Sequence, residues 1–211
     1  MELVSWFLDL ILHLDAHLVE LLGDYGMWVY AILFLIVFAE TGFVVTPFLP
    51  GDSLLFAAGA LAAVDTSGTL SAPLVSLVLC VAAVAGNTTN YHIGRWIGPP
   101  AFSGNYRWLK VDYLKRTEAF FVKHGAMTMV LSRFAPIIRT CAPFVAGIAR
   151  MPYARFQAYN FIGGIAWVLA LTWAGYFFGN IPFVKQHFGF VTIGIIVISL
   201  LPVAWVALRK Q

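Results

Sequence analysis

Arg133 and Arg139 stand in a stretch that is otherwise apolar and holds two prolines, Arg133-Phe-Ala-Pro-Ile-Ile-Arg-Thr-Cys-Ala-Pro-Phe-Val-Ala-Gly147. A guanidinium stays charged at any pH a protein survives, so each needs a partner or an anionic ligand. The first half of the chain supplies a stretch of opposite sign, Glu40 to Gly59, which contains Glu40, Pro47, Pro50, Gly51 and Asp52 and also closes on Ala-Gly. An isolated charge at the centre of a bilayer costs about 2.5 to 3.5 kcal/mol on insertion scales. The charged residues are therefore expected to meet inside a membrane, where the arginine forks suit a phosphate or carboxylate head group. Apolar surroundings favour the neutral form of a carboxyl group, which makes Glu40 and Asp52 candidates to load and release protons. The site predicted is an anion clamp of Arg133 and Arg139 coupled to protons through Glu40 and Asp52. The competing reading is a pair of structural salt bridges, weakened as an explanation because buried pairs stabilise little after desolvation.

Asn87, Tyr91 and Asn160 are secondary polar contacts for the same site, although hydrogen bonding between helices also accounts for polar residues in such runs. Enzymatic chemistry is not expected. The chain has no Gly-x-Ser-x-Gly and no phosphate loop, and neither His92 nor His124 is near the arginine stretch in sequence. Cys80 and Cys141 lie in apolar runs and are read as packing residues, so no metal and no cofactor are expected. Asp9, His13 and His17 are read as a wet helix face, because nothing supplies further ligands.

These residues have to be positioned by a chain that is 61% hydrophobic and 11% charged. A soluble domain carries about 25% charged residues, so the composition indicates an integral membrane protein. Seven Trp, eight Tyr and eighteen Phe suit lipid-facing and interfacial surface. All thirteen Lys and Arg lie at or after Arg95, and eight of the ten acids lie before it. This asymmetry orients the loops by the positive-inside rule. It leaves no basic docking face for nucleic acid. No Lys or Arg precedes the first apolar residues, unlike a cleavable signal peptide.

Five segments follow in order. Residues 1–24 read as an amphipathic interfacial helix, with polar residues at spacings of three and four. Residues 25–94 form a first repeat. Short apolar runs at Met27–Ala39 and Ser53–Val64 flank a break at Pro47, Pro50 and Gly51, and the uncharged Ala72–Gly94 then spans. Two short apolar helices around such a break predict a re-entrant hairpin; the rival is one tilted span from Tyr25 to Gly51. Residues 95–124 are a basic cytoplasmic connection, with Val111–His124 as an interfacial helix on anionic lipid. Residues 125–180 form a second repeat, with breaks at Pro136 and Pro143 and an uncharged span from Phe156 to Asn180. Residues 181–211 hold a turn, a last span from Phe188 to Leu208 and a short basic tail. Ala58-Gly59 recurs as Ala146-Gly147, and Tyr91-x-x-Gly94 as Tyr176-x-x-Gly179. The fold class predicted is an all-α integral membrane protein, built as an inverted repeat of re-entrant hairpin plus transmembrane helix with amphipathic interfacial helices.

Three stretches of the sequence are similar to the DedA family of bacterial inner-membrane proteins. They are Glu40-Thr-Gly-Phe-Val-Val-Thr-Pro-Phe-Leu-Pro-Gly-Asp-Ser53, Asn90-Tyr-His-Ile-Gly-Arg95, and Arg133-Phe-Ala-Pro-Ile-Ile-Arg-Thr140 with the following Ala-Pro-Phe-Val-Ala-Gly. The resemblance implies two re-entrant hairpins facing each other in the bacterial cytoplasmic membrane. It also implies a flippase that returns undecaprenyl phosphate to the cytoplasmic leaflet for cell-envelope synthesis, in dependence on the proton motive force. The family's functional acids fall on Glu40 and Asp52, and its functional arginines on Arg133 and Arg139. Some relatives have Asp where this chain has Asn87, so this position offers no carboxylate here. The partners expected are membrane lipids, a polyprenyl phosphate substrate and protons. The alternative function is a proton-coupled small-ion antiporter supporting envelope homeostasis, and a third reading is a structural or assembly protein.

Overall fold

The structure, a computed structural model of the full chain, describes residues 25–43, 51–65, 67–101, 133, 136–179, 181–182 and 194. The regular elements among the described residues are helical. A 3-10 turn at Gly26–Trp28 leads into α1, Val29–Gly42; α2 is Gly51–Val64, α3 is Ala72–Ala101, α4 is Pro136–Ile148 and α5 is Tyr153–Phe178. The predicted helix at residues 1–24, Pro47 and Pro50, the interfacial helix at Val111–His124 and, apart from Gly194, the last span at Phe188–Leu208 lie outside the described residues.

Two helical segments, Ala72–Gly98 and Tyr153–Phe178, are long and apolar enough to cross a membrane, whereas Gly26–Gly42 and Gly51–Val64 are shorter. The long helices leave large apolar side chains uncovered: Leu77 is 62% exposed, Ile162 59% and Phe177 65%. Such faces suit hydrocarbon as solvent.

Several boundaries differ from those read in the sequence. Helix α1 does not stop at Glu40: the Phe43 amide still bonds the Ala39 carbonyl, which carries the ladder past Glu40 and leaves that carboxyl inside the last turn. Pro136 opens α4, where a missing N–H costs nothing. Pro143, expected to interrupt the segment, lies inside α4. Its missing N–H and its ring deprive the Arg139 carbonyl of its helical partner without ending the helix. Helix α4 closes with the Arg150 amide on the Gly147 carbonyl and the Met151 amide on the Ala146 carbonyl. That is a Schellman cap, and Arg150 takes the left-handed position at φ 51°.

The chain divides into two compact units. The first comprises Met1–Val37, Leu49–Ala82 and Trp167–Gln211; the second comprises Phe38–Phe48 and Ala83–Ala166. In the first unit α2 is buried along Ser53–Ala60 and packs on the end of α5. The contact is backbone to backbone. A Cβ on Gly59 would meet the Thr172 carbonyl oxygen at 1.9 Å, and one on Gly175 would meet the Phe56 carbonyl oxygen at 2.0 Å. Tyr30 ties this unit's loop down, donating to the Thr69 carbonyl at 3.1 Å and accepting from the Ser71 amide at 2.9 Å.

The second unit repeats that crossing with other residues. A Cβ on Gly147 would meet the Tyr91 carbonyl oxygen at 2.0 Å, and one on Gly94 would meet the Phe144 carbonyl oxygen at 2.0 Å. One turn further on, Gly179 faces Ala60 in the first unit and Gly98 faces Ile148 in the second. By these contacts Gly94 corresponds to Gly175, a different register from the Tyr91-x-x-Gly94 and Tyr176-x-x-Gly179 pairing read in the sequence. The second unit's core is Tyr91, Ala142, Ala146 and Phe156, with the Tyr91 and Phe156 rings stacked at 4.3 Å between centroids.

Candidate functional site

Polar side chains in the second unit are organised by consecutive turns of α3. Asn90, fully buried, donates from Nδ2 to the Thr41 carbonyl at 3.1 Å and to the Thr140 carbonyl at 2.8 Å. The residues just before those two carbonyls are Glu40 and Arg139, whose side chains form an ion pair through Oε1 and Nη2. Both are buried, Glu40 at 0% and Arg139 at 6% exposure. One amide therefore fixes two backbones so that their charged neighbours meet. Gly86 permits the approach of α1 to α3, since a Cβ there would lie 2.8 Å from the Phe38 carbonyl oxygen.

Asn87, one turn earlier on α3, reaches a second cluster. Its Nδ2 donates to Asn160 Oδ1 at 3.1 Å, and Arg133 Nη2 donates to the same oxygen at 2.6 Å and to the Asn160 carbonyl at 3.3 Å. Asn160 is itself oriented, donating from Nδ2 to the Val84 carbonyl at 3.1 Å and to Gln157 Oε1 at 2.9 Å. Arg133 is 3% exposed and its guanidinium lies against Gly164, where a Cβ would stand 3.2 Å from Nη2. A buried guanidinium thus packs beside a neutral amide whose direction is set by two helices. Charge-assisted hydrogen bonds of this kind are about twice as strong as neutral ones.

Asp52 belongs to the first unit, in the first turn of α2, where the helix dipole favours a negative charge. Its Oδ1 accepts from Trp167 Nε1 at 2.8 Å, and Trp167 is 2% exposed. Tyr91, expected as a secondary polar contact, instead donates to the Met151 carbonyl and accepts from Arg95 Nη1 at 3.2 Å. This places it at the end of α4 as a strut. Among the described residues no cluster of three or more His, Cys, Asp or Glu could hold a metal ion.

The structure joins Glu40 to Arg139 across the two stretches of opposite sign, and joins Asn87 and Asn160 to Arg133. Two partners were not read from the sequence, Trp167 for Asp52 and Gln157 behind Asn160. Gln157 could have been found: Tyr153, Gln157 and Asn160 recur at helical spacing, so polar groups share one face of a helix that otherwise reads as apolar. Trp167 carries no such signal.

A family model described as the VTT domain matches residues 49–177. The chain is 53% identical over 203 residues to Protein DedA of Escherichia coli strain K12, covering 96% of this chain and 92% of that protein. It is 42% identical to an uncharacterized membrane protein of Mycobacterium leprae, ML0287, with 90% and 87% covered. It is 37% identical to the Escherichia coli inner membrane protein YqjA, with 86% and 81% covered. No solved structure matches the chain.

Proposed function

The chain is a membrane protein of the DedA family, the family of the VTT domain, and on that premise we propose that it is a lipid-phosphate flippase returning undecaprenyl phosphate across the bacterial cytoplasmic membrane with proton coupling. The observation that carries this reading is Arg133, a guanidinium buried beside the neutral amide of Asn160. A guanidinium fork matches the oxygens of a phosphate, and the neutral amide beside it does not repel the anion. Arg139 is the second arm of the clamp, and Glu40 is its resting counter-charge. When phosphate takes Arg139, Glu40 loses that partner in an apolar setting and is expected to take up a proton. Asp52, the second proposed proton carrier, lies in the first unit and accepts from Trp167. The polyprenyl tail stays in lipid, and the protein carries out no covalent step.

The finer architecture belongs to the same proposal. We read α1 with α2, and α4 with the segment before it, as two re-entrant hairpins of an inverted repeat. Support comes from the two matching glycine crossings, Gly59 with Gly175 and Gly147 with Gly94. Alternating access would then rock one repeat against the other.

The test is uptake of labelled undecaprenyl phosphate from the outer leaflet of proteoliposomes, with and without a proton gradient. Arg133→Ala is expected to abolish uptake, and Glu40→Gln to abolish its response to the gradient. Wild-type protein that is folded yet moves no lipid phosphate would sink the proposal. If the same vesicles showed ion-driven proton flux, the buried Glu40–Arg139 pair would be read as the ion site of an antiporter.

A further inference from the structure

A polar chain leads from the buried Arg133 to the exposed start of α5. Arg133 Nη2 meets Asn160 Oδ1 at 2.6 Å, Asn160 Nδ2 meets Gln157 Oε1 at 2.9 Å, and Gln157 Nε2 meets the Tyr153 hydroxyl at 2.6 Å. Thr88 on α3 joins it from the side, accepting from Gln157 Nε2 at 3.0 Å. Exposure rises along the path from 3% at Arg133 and 0% at Asn160, through the half-buried Gln157, to 44% at Tyr153. Tyr153 stands between the exposed Arg150 and Arg155, which by the positive-inside rule mark the cytoplasmic side.

We infer that this ladder is the route by which the anionic phosphate head group leaves Arg133 for the cytoplasmic interface. The inference rests on the lipid-phosphate reading above and assigns Asn160, Gln157, Thr88 and Tyr153 as successive head-group contacts. Three observations favour it. Helix packing does not require so many polar groups, since hydrogen bonds between helices in membranes average only about 0.6 kcal/mol. Each of these four side chains carries a donor, and none carries a negative charge, which is what an acceptor-only phosphate needs. The amides of Asn160 and Gln157 have no proton to relay at neutral pH, so the chain suits an anion better than a proton wire. Tyr153 is held at the mouth by ring contacts with Tyr91 and His92, with centroids at 5.8 and 5.4 Å.

Two experiments test the ladder. In proteoliposomes, Gln157→Leu should lower the rate of lipid-phosphate delivery about tenfold, the loss of one polar contact of ordinary strength. Gln157→Glu should lower it further, because a carboxylate still accepts from Asn160 and Thr88 but repels phosphate. If Glu retains more activity than Leu, Gln157 is a packing strut and the inference falls. The second experiment needs no lipid substrate. In a Cys80→Ser, Cys141→Ser background, Thr88→Cys and Gln157→Cys are labelled from the cytoplasmic side of inverted vesicles with a sulfonate-bearing or a trimethylammonium-bearing thiosulfonate. The anionic reagent should react faster by about tenfold or more, and Arg133→Gln should erase the difference. Equal rates, a cationic preference or no labelling at either position would overturn the ladder. Anion-selective labelling in a protein that moves no lipid would uphold the ladder and refute the flippase reading alone.

Discussion

Breaking the Glu40–Arg139 pair should destabilise the protein severely, and removing both charges together should restore it. The two side chains are 0% and 6% exposed, so either charge left alone has no access to bulk water. Loss of one partner from a buried pair costs about 3 to 5 kcal/mol, whereas replacing the pair by apolar groups of similar volume is often neutral or stabilising. Glu40→Leu and Arg139→Met should each lower the unfolding free energy by that amount. The double variant should return to within about 1 kcal/mol of wild type, a coupling of at least about 5 kcal/mol in the cycle. Equilibrium unfolding in mixed micelles measures the three differences directly. Transport supplies the second arm, because the restored double variant should remain unable to move lipid phosphate. Additive losses would mean that the two side chains do not stabilise each other. A stable double variant with full transport would reduce the pair to a structural strut and refute its role in the clamp.

The glycine crossings predict that Gly59→Ala and Gly147→Ala each destabilise by about 1 to 3 kcal/mol or more, since a new methyl would overlap a backbone oxygen that cannot rotate away. Thermal unfolding in detergent checks this, and an unchanged midpoint in either variant would contradict the packing described. Trp167→Phe keeps an aromatic ring but loses the indole N–H that bonds Asp52, so it should cost at least about 1.5 to 3 kcal/mol, read by the same unfolding measurement. Asp65 caps its loop by accepting from the Ser67 hydroxyl at 2.6 Å and from the Ser67 and Leu70 amides at 2.9 and 2.7 Å, and those bonds, the hydroxyl first, hold its carboxyl below the usual carboxylate range. A carboxyl lowered on folding stabilises the loop above its unfolded value and loses that contribution as pH falls through the folded one. Amide exchange at Ser67 and Leu70 should therefore stay protected at mildly acidic pH and be lost only in stronger acid, and loss already at neutral pH would refute the cap.

Much of this arrangement could be read in the sequence wherever a charge announced itself. Glu40 and Arg139 are conspicuous in apolar runs, and their pairing across distant parts of the chain follows from the cost of leaving either alone. Uncharged runs likewise marked α3 and α5, although α3 runs on to Ala101 and α5 begins earlier, at Tyr153, and ends at Phe178. Neutral partners were harder to see. Trp167 looks like any membrane tryptophan until its N–H is found on Asp52, and Asn160 looks like one polar residue among several until three groups converge on it. Pro143 misled because a proline is read as a stop, while α4 holds it in mid-helix against a well-packed crossing at Phe144 and Gly147. Register between the two glycine crossings is set by carbonyl contacts rather than by tyrosines, and no single-residue pattern encodes that.

The matching crossings differ in when each can close as the chain leaves the ribosome. Gly147 meets a backbone, at Tyr91, that has already been made, so α4 can dock as soon as it emerges. Gly59 must wait for Thr172, which follows much later in the chain, before this crossing can close. Until then a nascent chain holds a short, small-residue helix with its docking face uncovered. The interval before Thr172 arrives is therefore when this protein is most open to misassembly or proteolysis.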